Sequence, residues 1–419
     1  MSRSSTCVYF LQHSSFQILC GNRDVVLVWI YVFVVIKRKE VCVCAYWRLG
    51  RSCMRSAEYC ISVAPVQLTM LFLVILTTFL CSTYADISCY NDDGQPVDWF
   101  IIYKLPKLKE NPDHDGETYM YQDASTQAWV ESTHTMNDTD GAVGHTLQQF
   151  YKSGGPKNEG VAYVLYNDQF EEKMSYPSKF GHTKGVILLD QEQGIWLVHS
   201  TPKFPPKLQE GYYWPHNGLR NGQSFLCVTY SYSSFKAIGN QLMYTEPDCY
   251  ESSLPPSFAD DFPELVSASQ GKFVKKPPWT SQVTLTSVGG KAFTSFAKNG
   301  HFEDDLYSGW LSGALESNLL VQFWPNSAGV LPSNCSIEYF VYSIEYLQFS
   351  QAISFSHHID HSKWCISKSA NDSGKPWTCI GDMNRVEGEM KRGGGTVCTS
   401  DAAIWKAFYK LIEKYEDCS

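Results

Sequence analysis

Short runs of β-branched and aromatic residues, closed off by Gly, Pro, Asn or Asp, set the fold class open to this chain. VDWFIIYKLP, GVAYVLYN, VILLD, IWLVHS, SFLCVTYSY, LLVQFWP and IEYFVYSIEYL all lie after Asp86. They have the length of strands, several alternate with period two, and turn formers separate them. Helical stretches are fewer: residues 145–152, 230–243, 258–269 and the carboxyl-terminal AAIWKAFYKLIEKYE. The last puts Ile404, Phe408 and Leu411 on one face, as in an amphipathic helix docked on the body. The expectation is a mixed α/β protein. In KKPPWTSQ, residues 275–282, Pro277 and Pro278 interrupt any helix and mark an edge between two halves, 86–275 and 276–419.

The amino terminus reads differently. LFLVILTTFLCSTYA after Met70 has signal-peptide length and ends in small residues before Asp86, so residues 70–85 are read as a signal peptide. The upstream run VVLVWIYVFVVI, at 12 residues, is short for a membrane span. Residues 1–69 are read as an extension upstream of the true start or as a disordered segment, and the mature chain carries no stable membrane association. Seven of the 15 cysteines precede residue 86. The eight that remain, Cys89, Cys227, Cys249, Cys335, Cys365, Cys379, Cys398 and Cys418, are an even set without zinc-site spacing. They suit a disulfide framework in the secretory pathway. Sequons at Asn137, Asn334 and Asn371 fit the same compartment.

One short pattern occurs twice. GHTKGVILLD holds His182 and Lys184, and DHSKWCIS repeats the spacing with His361 and Lys363. Each copy opens a strand, followed by a polar turn and an aromatic strand: QEQG then IWLVHS, and SANDSGK then PWTCIGDMN. Residues i and i+2 of a strand share a face, so each histidine projects with its lysine. Folding each hairpin brings Lys184 near Ser200 and Lys363 near the Asp382–Asn384 end of its partner strand. One such pair on a solvated strand face would carry no chemistry. Two, each opening a similar hairpin, suggest one shared site. His357 and His358 read as local structure, and Lys203 and Lys207 as surface. His199 is either a core histidine or a supporting partner.

Two facing His/Lys pairs suit a phosphodiester. Lysine supplies fixed positive charge for the non-bridging oxygens. A neutral imidazole can attack phosphorus, and an imidazolium can protonate a leaving oxygen. Asn384 and Ser200 could add hydrogen bonds, and no metal is needed for these roles. The net charge of −9 argues against a nucleic-acid-coating protein but not against an enzyme working in acid, where ten histidines after residue 85 gain charge. A phospholipid head-group hydrolase, or a binding protein on an inactive scaffold, would share the same frame.

The strings WFIIYKLPK, GHTKGVILLD, WLVHSTPKFPP, DHSKWCIS, PWTCIGDMNR and RGGGTVC closely resemble deoxyribonuclease II, the acid endonuclease family of lysosomes, from about Ser88 to the carboxyl terminus. The resemblance implies a phospholipase D-like pseudo-dimer of two mixed-sheet halves with the active site between them. It implies hydrolysis of double-stranded DNA without a divalent metal, leaving 3′-phosphate ends through a phosphohistidine. The resemblance leaves the attacking ring open; His182 is taken as the nucleophile and His361 as the acid. Against the wider superfamily's H-x-K and G-S-x-N elements, Asp190 lies near the acidic position and Gly381-Asp382-Met383-Asn384 carries Asp for Ser. The first half offers only His199-Ser200 at the corresponding place. The same resemblance pairs Cys89 with Cys227, Cys335 with Cys418 and Cys379 with Cys398, leaving Cys249 and Cys365 as a fourth pair. A lysosomal or secreted monomer or homodimer is expected, with no cofactor.

Overall fold

The computed structural model describes residues 86–108, 114–170, 180–369 and 375–418, together with the backbone of four amino-terminal strands. Met1–Ala85 and Asp86–Ser419 are separate compact units. In the first, Leu11–Ile18, Val26–Lys37, Glu40–Leu49 and Ile61–Val63 pair in chain order as antiparallel neighbours. Residues 26–36 of the apolar run lie on the second of these strands. The signal-peptide segment 70–85 and the sequon at Asn371 lie outside the described residues.

The second unit is built on two large sheets. The first contains β1 (Trp99–Lys104), β2 (Thr118–Asp123), β3 (Val130–Thr135), β4 (Ala162–Asn167), β5 (Lys184–Leu189), β6 (Gln193–His199), β7 (Gln223–Ser231) and β8 (Cys249–Ser253). Its order is β8-β4-β5-β6-β7-β1-β2-β3, antiparallel throughout. The second contains β9 (Thr280–Thr286), β10 (Ala292–Lys298), β11 (Leu319–Gln322), β12 (Val341–Ser350), β13 (Ile353–Ser356), β14 (Lys363–Ser367), β15 (Thr378–Gly381), β16 (Gly394–Thr399) and β17 (Ile412–Tyr415). Its order is β9-β10-β16-β15-β14-β11-β12-β13, with β17 on β12 and only β11 and β12 parallel. The six-strand run β4-β5-β6-β7-β1-β2 therefore has a counterpart in β11-β14-β15-β16-β10-β9.

Strand alternation decides which side chains meet. Along β1, Trp99, Ile101 and Tyr103 face a core shared with Trp364, Ile366, Ile380 and Val397 of the second sheet. Phe100 and Ile102 point the other way, onto Val143, Leu147 and Phe150 of the helix Ala142–Tyr151. The outer face of the second sheet buries Phe296 and Cys365 against Tyr307 and Leu311. Both faces of both central sheets are thus covered, which is why WFIIYK is buried at every position. Truncating Trp364 to alanine in the shared core is worth about 3–5 kcal/mol.

Three expectations change. The carboxyl-terminal helix stops at Tyr409, and Ile412–Tyr415 instead pairs with β12. An open strand edge gains backbone hydrogen bonds from that pairing, and the Cys335–Cys418 disulfide holds the tail beside it. The expected helix over 258–269 is two, Pro256–Asp261 and Pro263–Ser269, because Pro263 has no N–H to continue the first. Cys89–Cys227, Cys335–Cys418 and Cys379–Cys398 are bonded, whereas Cys249 and Cys365 are free. The two thiols lie in different places: Cys249 opens β8 at an edge with its sulfur beside Ala268 O, and Cys365 is buried within β14 in the outer core with Phe296 and Tyr307.

Candidate active site

Each histidine lies two residues before a lysine that opens a central strand, so its ring emerges at the strand end where the sheets meet. The backbone fixes both by reciprocal bonds. His182 N–H donates to Gly393 O of the second half at 2.8 Å, and His361 N–H donates to Gly222 O of the first at 2.8 Å. Gly222 and Gly393 immediately precede β7 and β16. A Cβ on Gly222 would meet Asp360 Oδ1 at 2.3 Å, and one on Gly393 would meet Thr245 O at 2.7 Å, so only glycine lets the chains pass this close.

Asp382 is the hub. It follows β15, whose register sets Lys363 opposite Gly381. Lys184 Nζ donates to Asp382 Oδ2 at 2.7 Å, and Lys363 Nζ lies 3.3 Å from Oδ1. Lys184 has a second carboxylate, Asp168 Oδ1, also at 2.7 Å, and Asp168 Oδ2 accepts from Arg392 at 2.8 Å. His182 Nδ1 is in short contact with the Asp382 carbonyl oxygen, and its Nε2 lies 3.8 Å from Glu389 Oε1. His361 Nδ1 faces two acceptors, Ser200 O at 3.0 Å and Gln223 Oε1 at 3.2 Å. Lys363 Nζ lies against the same ring, 2.9 Å from Nδ1 and 3.1 Å from Nε2. On His182 Nδ1 meets a carbonyl acceptor, which places the proton there in the neutral form and leaves Nε2 as the lone-pair nitrogen; on His361 Nδ1 faces two acceptors and the Lys363 ammonium alike, so its contacts set no single tautomer. His182, Lys184, His361, Lys363 and Asp382 are all buried.

Burial works against charge on both histidines and, with the neighbouring ammonium groups, holds each well below the ordinary imidazole range. The lysines differ. Burial also opposes charge on Lys184, but Asp168 and Asp382 outweigh it and raise its pKa. Lys363 is brought down to about 8 by burial, which Asp382 only partly offsets. Glu389 is pushed up to about 7, chiefly by burial. Asp168, His182 and Asp382 stand close enough to offer a metal ion three donor atoms. The Lys184 ammonium, however, already lies between the two carboxylates.

The supporting residues divide. Ser200 acts through its carbonyl on His361, while its hydroxyl donates to Gln223 Oε1 at 2.6 Å. Asn384 Oδ1 accepts from Trp324 N–H at 3.2 Å, which leaves its amide N–H groups as the donors a phosphate would take. His199 is a core residue, stacked on Phe225 and edge-on to Phe204. Asp190 is not at the site. It accepts from Glu192 and Gln193 N–H in the β5–β6 turn and from Ile87 N–H, so the acidic partner of the first lysine is Asp168. Asp168, Gln223, Glu389 and Arg392 were missed, since nothing in the local sequence around them ties them to either His-x-Lys pair. The string RGGGTVC was the available signal for Arg392. Of the sequons described, Asn137 is exposed and Asn334 half-buried.

Residues 88–418 match the family model of deoxyribonuclease II. The chain belongs to the deoxyribonuclease II family. It is 45% identical to mouse deoxyribonuclease-2-alpha over 351 residues, 82% of this chain and 97% of that one. To human deoxyribonuclease-2-beta it is 40% identical over 362 residues, 85% and 98% of the two chains. To plancitoxin-1 of Acanthaster planci it is 39% identical over 358 residues, 84% and 99%. As a deoxyribonuclease II the chain is an endonuclease with DNA as its substrate, and the mixed α/β architecture is that of the family. No helix among the described residues is long and apolar enough to cross a membrane.

Proposed function

We propose that this enzyme hydrolyses double-stranded DNA in acid without a divalent metal, leaving 3′-phosphate ends, and that it serves DNA degradation in the lysosome. The observation that carries the reading is the single carboxylate of Asp382 held between Lys184 and Lys363, with His182 and His361 arriving from opposite halves. One neutral imidazole attacks phosphorus through Nε2. The P–O5′ bond breaks as the other histidine, as imidazolium, gives its proton to O5′. Water then attacks the phosphohistidine and passes a proton to the second histidine. The P–N bond breaks, and a 3′-phosphate departs with the nucleophile restored.

The roles of the two rings are set by their neighbours. The sequence reading has His182 attack and His361 donate. The Lys363 ammonium, against both ring nitrogens of His361, opposes an imidazolium there and favours the reverse, with His361 as nucleophile. Both histidines are held below their usual range, so an imidazolium forms only as pH falls. Activity that needs one must therefore rise toward acid, and the two rings titrate as a coupled pair. Lysines and Asn384 contact phosphate rather than bases, which predicts little sequence preference.

The test is nicking of supercoiled plasmid at about pH 5 and pH 7.5 in excess EDTA by wild type, His182→Ala and His361→Ala. Acid-favoured, EDTA-resistant nicking lost in both variants is expected. A flat pH profile, or full activity in either variant, overturns the mechanism. Alkaline denaturing quench with 5′-end-labelled fragments decides the nucleophile, because the 3′-phosphate of the upstream fragment is what becomes bound to histidine and only the variant that retains the nucleophile can trap that adduct.

A further inference from the structure

Two buried lysines outside the reaction centre occupy corresponding places in the two halves. Lys104 ends β1, and Lys298 ends β10. In the strand register Lys104 stands opposite Gln223, the first residue of β7, and Lys298 opposite Gly394, the first residue of β16. Their ammonium groups bond to backbone carbonyls. Lys104 donates to Gly218 O at 2.6 Å and Leu219 O at 3.2 Å. Lys298 donates to Glu389 O at 2.9 Å, Met390 O at 3.1 Å and Arg392 O at 2.7 Å, which uses all three of its protons. The segment gathered by Lys104 leads directly into Gly222, which accepts from His361 N–H. The segment gathered by Lys298 leads into Gly393, which accepts from His182 N–H, and it also carries Glu389 and Arg392.

We propose that Lys104 and Lys298 are paired positioning residues, each fixing the loop of its own half that places the catalytic histidine of the other. The inference rests on the two-histidine reading above. The geometry is reciprocal: Lys104 acts on His361 through residues 218–222, and Lys298 acts on His182 through residues 389–393. Irregular loops at this depth must satisfy their carbonyl groups internally. A lysine, with three donors on one point, can collect several carbonyls that no strand ladder reaches. Trp214 flanks the Lys104 ammonium at 5.9 Å, and Phe302 flanks that of Lys298 at 5.9 Å. Burial lowers Lys104 to about 7, opposed by Asp360, Asp115 and Glu117. It lowers Lys298 to about 8, opposed by Glu389, Asp305, Glu246 and Asp304. Both clamps are therefore charged throughout the acid range in which the enzyme is proposed to work.

The experiment compares full-chain wild type, Lys104→Met and Lys298→Met by plasmid nicking at about pH 5, with 15N-histidine NMR on the same samples. Each variant is expected to lower kcat roughly 10- to 100-fold with KM changed by less than about twofold, the scale of a small displacement of a catalytic group. Lys298→Met moves the imidazole signals of His182 and leaves those of His361, and Lys104→Met does the opposite. Retention of kcat in a folded variant overturns the proposal, and so does an equal shift of both histidines in each variant. Should a methionine variant not fold, the Lys→Arg variant takes its place, with the same expected loss because a planar fork cannot occupy the point position. Full activity in His182→Ala or His361→Ala would instead bring down the underlying mechanism, whatever the lysine variants do.

Discussion

The two halves share a strand plan but not an electrostatic one. In both, a His-x-Lys strand lies between a partner strand and a neighbour whose end reaches the site. In the first half that neighbour, β4, runs into Asp168, and the partner strand β6 ends at His199-Ser200. In the second half β11 runs into Phe323, and the partner strand β15 ends at Gly381-Asp382. Lys184 therefore has two carboxylates, while Lys363 shares one and leans on a histidine. A duplicated backbone thus holds one lysine whose charge is committed to its neighbours and another more available to an incoming phosphate.

The sharpest way to break this comparison is to remove each lysine in turn. Lys184→Met leaves the Asp168 and Asp382 carboxylates without their common ammonium, and should cost about 3–5 kcal/mol in urea unfolding at pH 7. Lys363→Met should cost clearly less stability but more activity, because its ammonium lies against the His361 ring. Equal destabilisation by the two variants would erase the distinction between the halves.

Glu389→Gln probes the asymmetry more gently. The folded pKa of Glu389 is raised to about 7, so ionisation is harder in the folded than in the unfolded protein. Its contribution to stability is unfavourable once pH exceeds the unfolded value, grows until about pH 7, and vanishes below about pH 4. Glu389→Gln should therefore stabilise the protein by roughly 2–3 kcal/mol at pH 7.5 and leave it unchanged near pH 4. Denaturant melts at the two pH values check this, and a stability gain of equal size at both would show that burial of the charge is not the cause.

Much of the frame was legible because strand length, turn residues and period two are local properties. The seven strand runs and both hairpins lie where WFIIYK, VILLD, LLVQ and their neighbours suggested, and Lys363 pairs with Gly381, one residue before the expected Asp382–Asn384 end. What was not legible depends on tertiary proximity. Asp168 follows an ordinary apolar strand, and nothing nearby in sequence marks it as the partner of Lys184. Glu389 and Arg392 sit on a short helix and loop whose position comes from Lys298, 91 to 94 residues away. The tail was misread for the same reason: IEKY joins a helical pattern locally, and an edge of β12 claims it instead.

The smallest effect concerns the cysteines, one free in each half. Titration of the folded chain and then the unfolded chain with a thiol reagent should find Cys249 and Cys365 unbonded, with Cys365 reacting only after unfolding because it is buried. Cys249→Ser should shift stability by less than about 1 kcal/mol. Co-migration of Cys249 and Cys365 in one disulfide-linked peptide would contradict their separation into different sheets.

Each disulfide in the described residues closes within one half: Cys89–Cys227 in the first, Cys335–Cys418 and Cys379–Cys398 in the second. The seam that carries the chemistry has no covalent strap beyond the connecting chain. It is fastened by the shared apolar core, by the reciprocal glycine contacts and by carboxylates that reach across it, Asp382 to Lys184, Asp168 to Arg392 and Glu246 to Asn299. A break in the connecting chain near residues 275–279 would leave two cross-linked modules, each with its own interior, and neither would hold a complete catalytic set. The enzyme is thus a permanently docked pair of partners, and its activity is a direct gauge of whether they remain engaged.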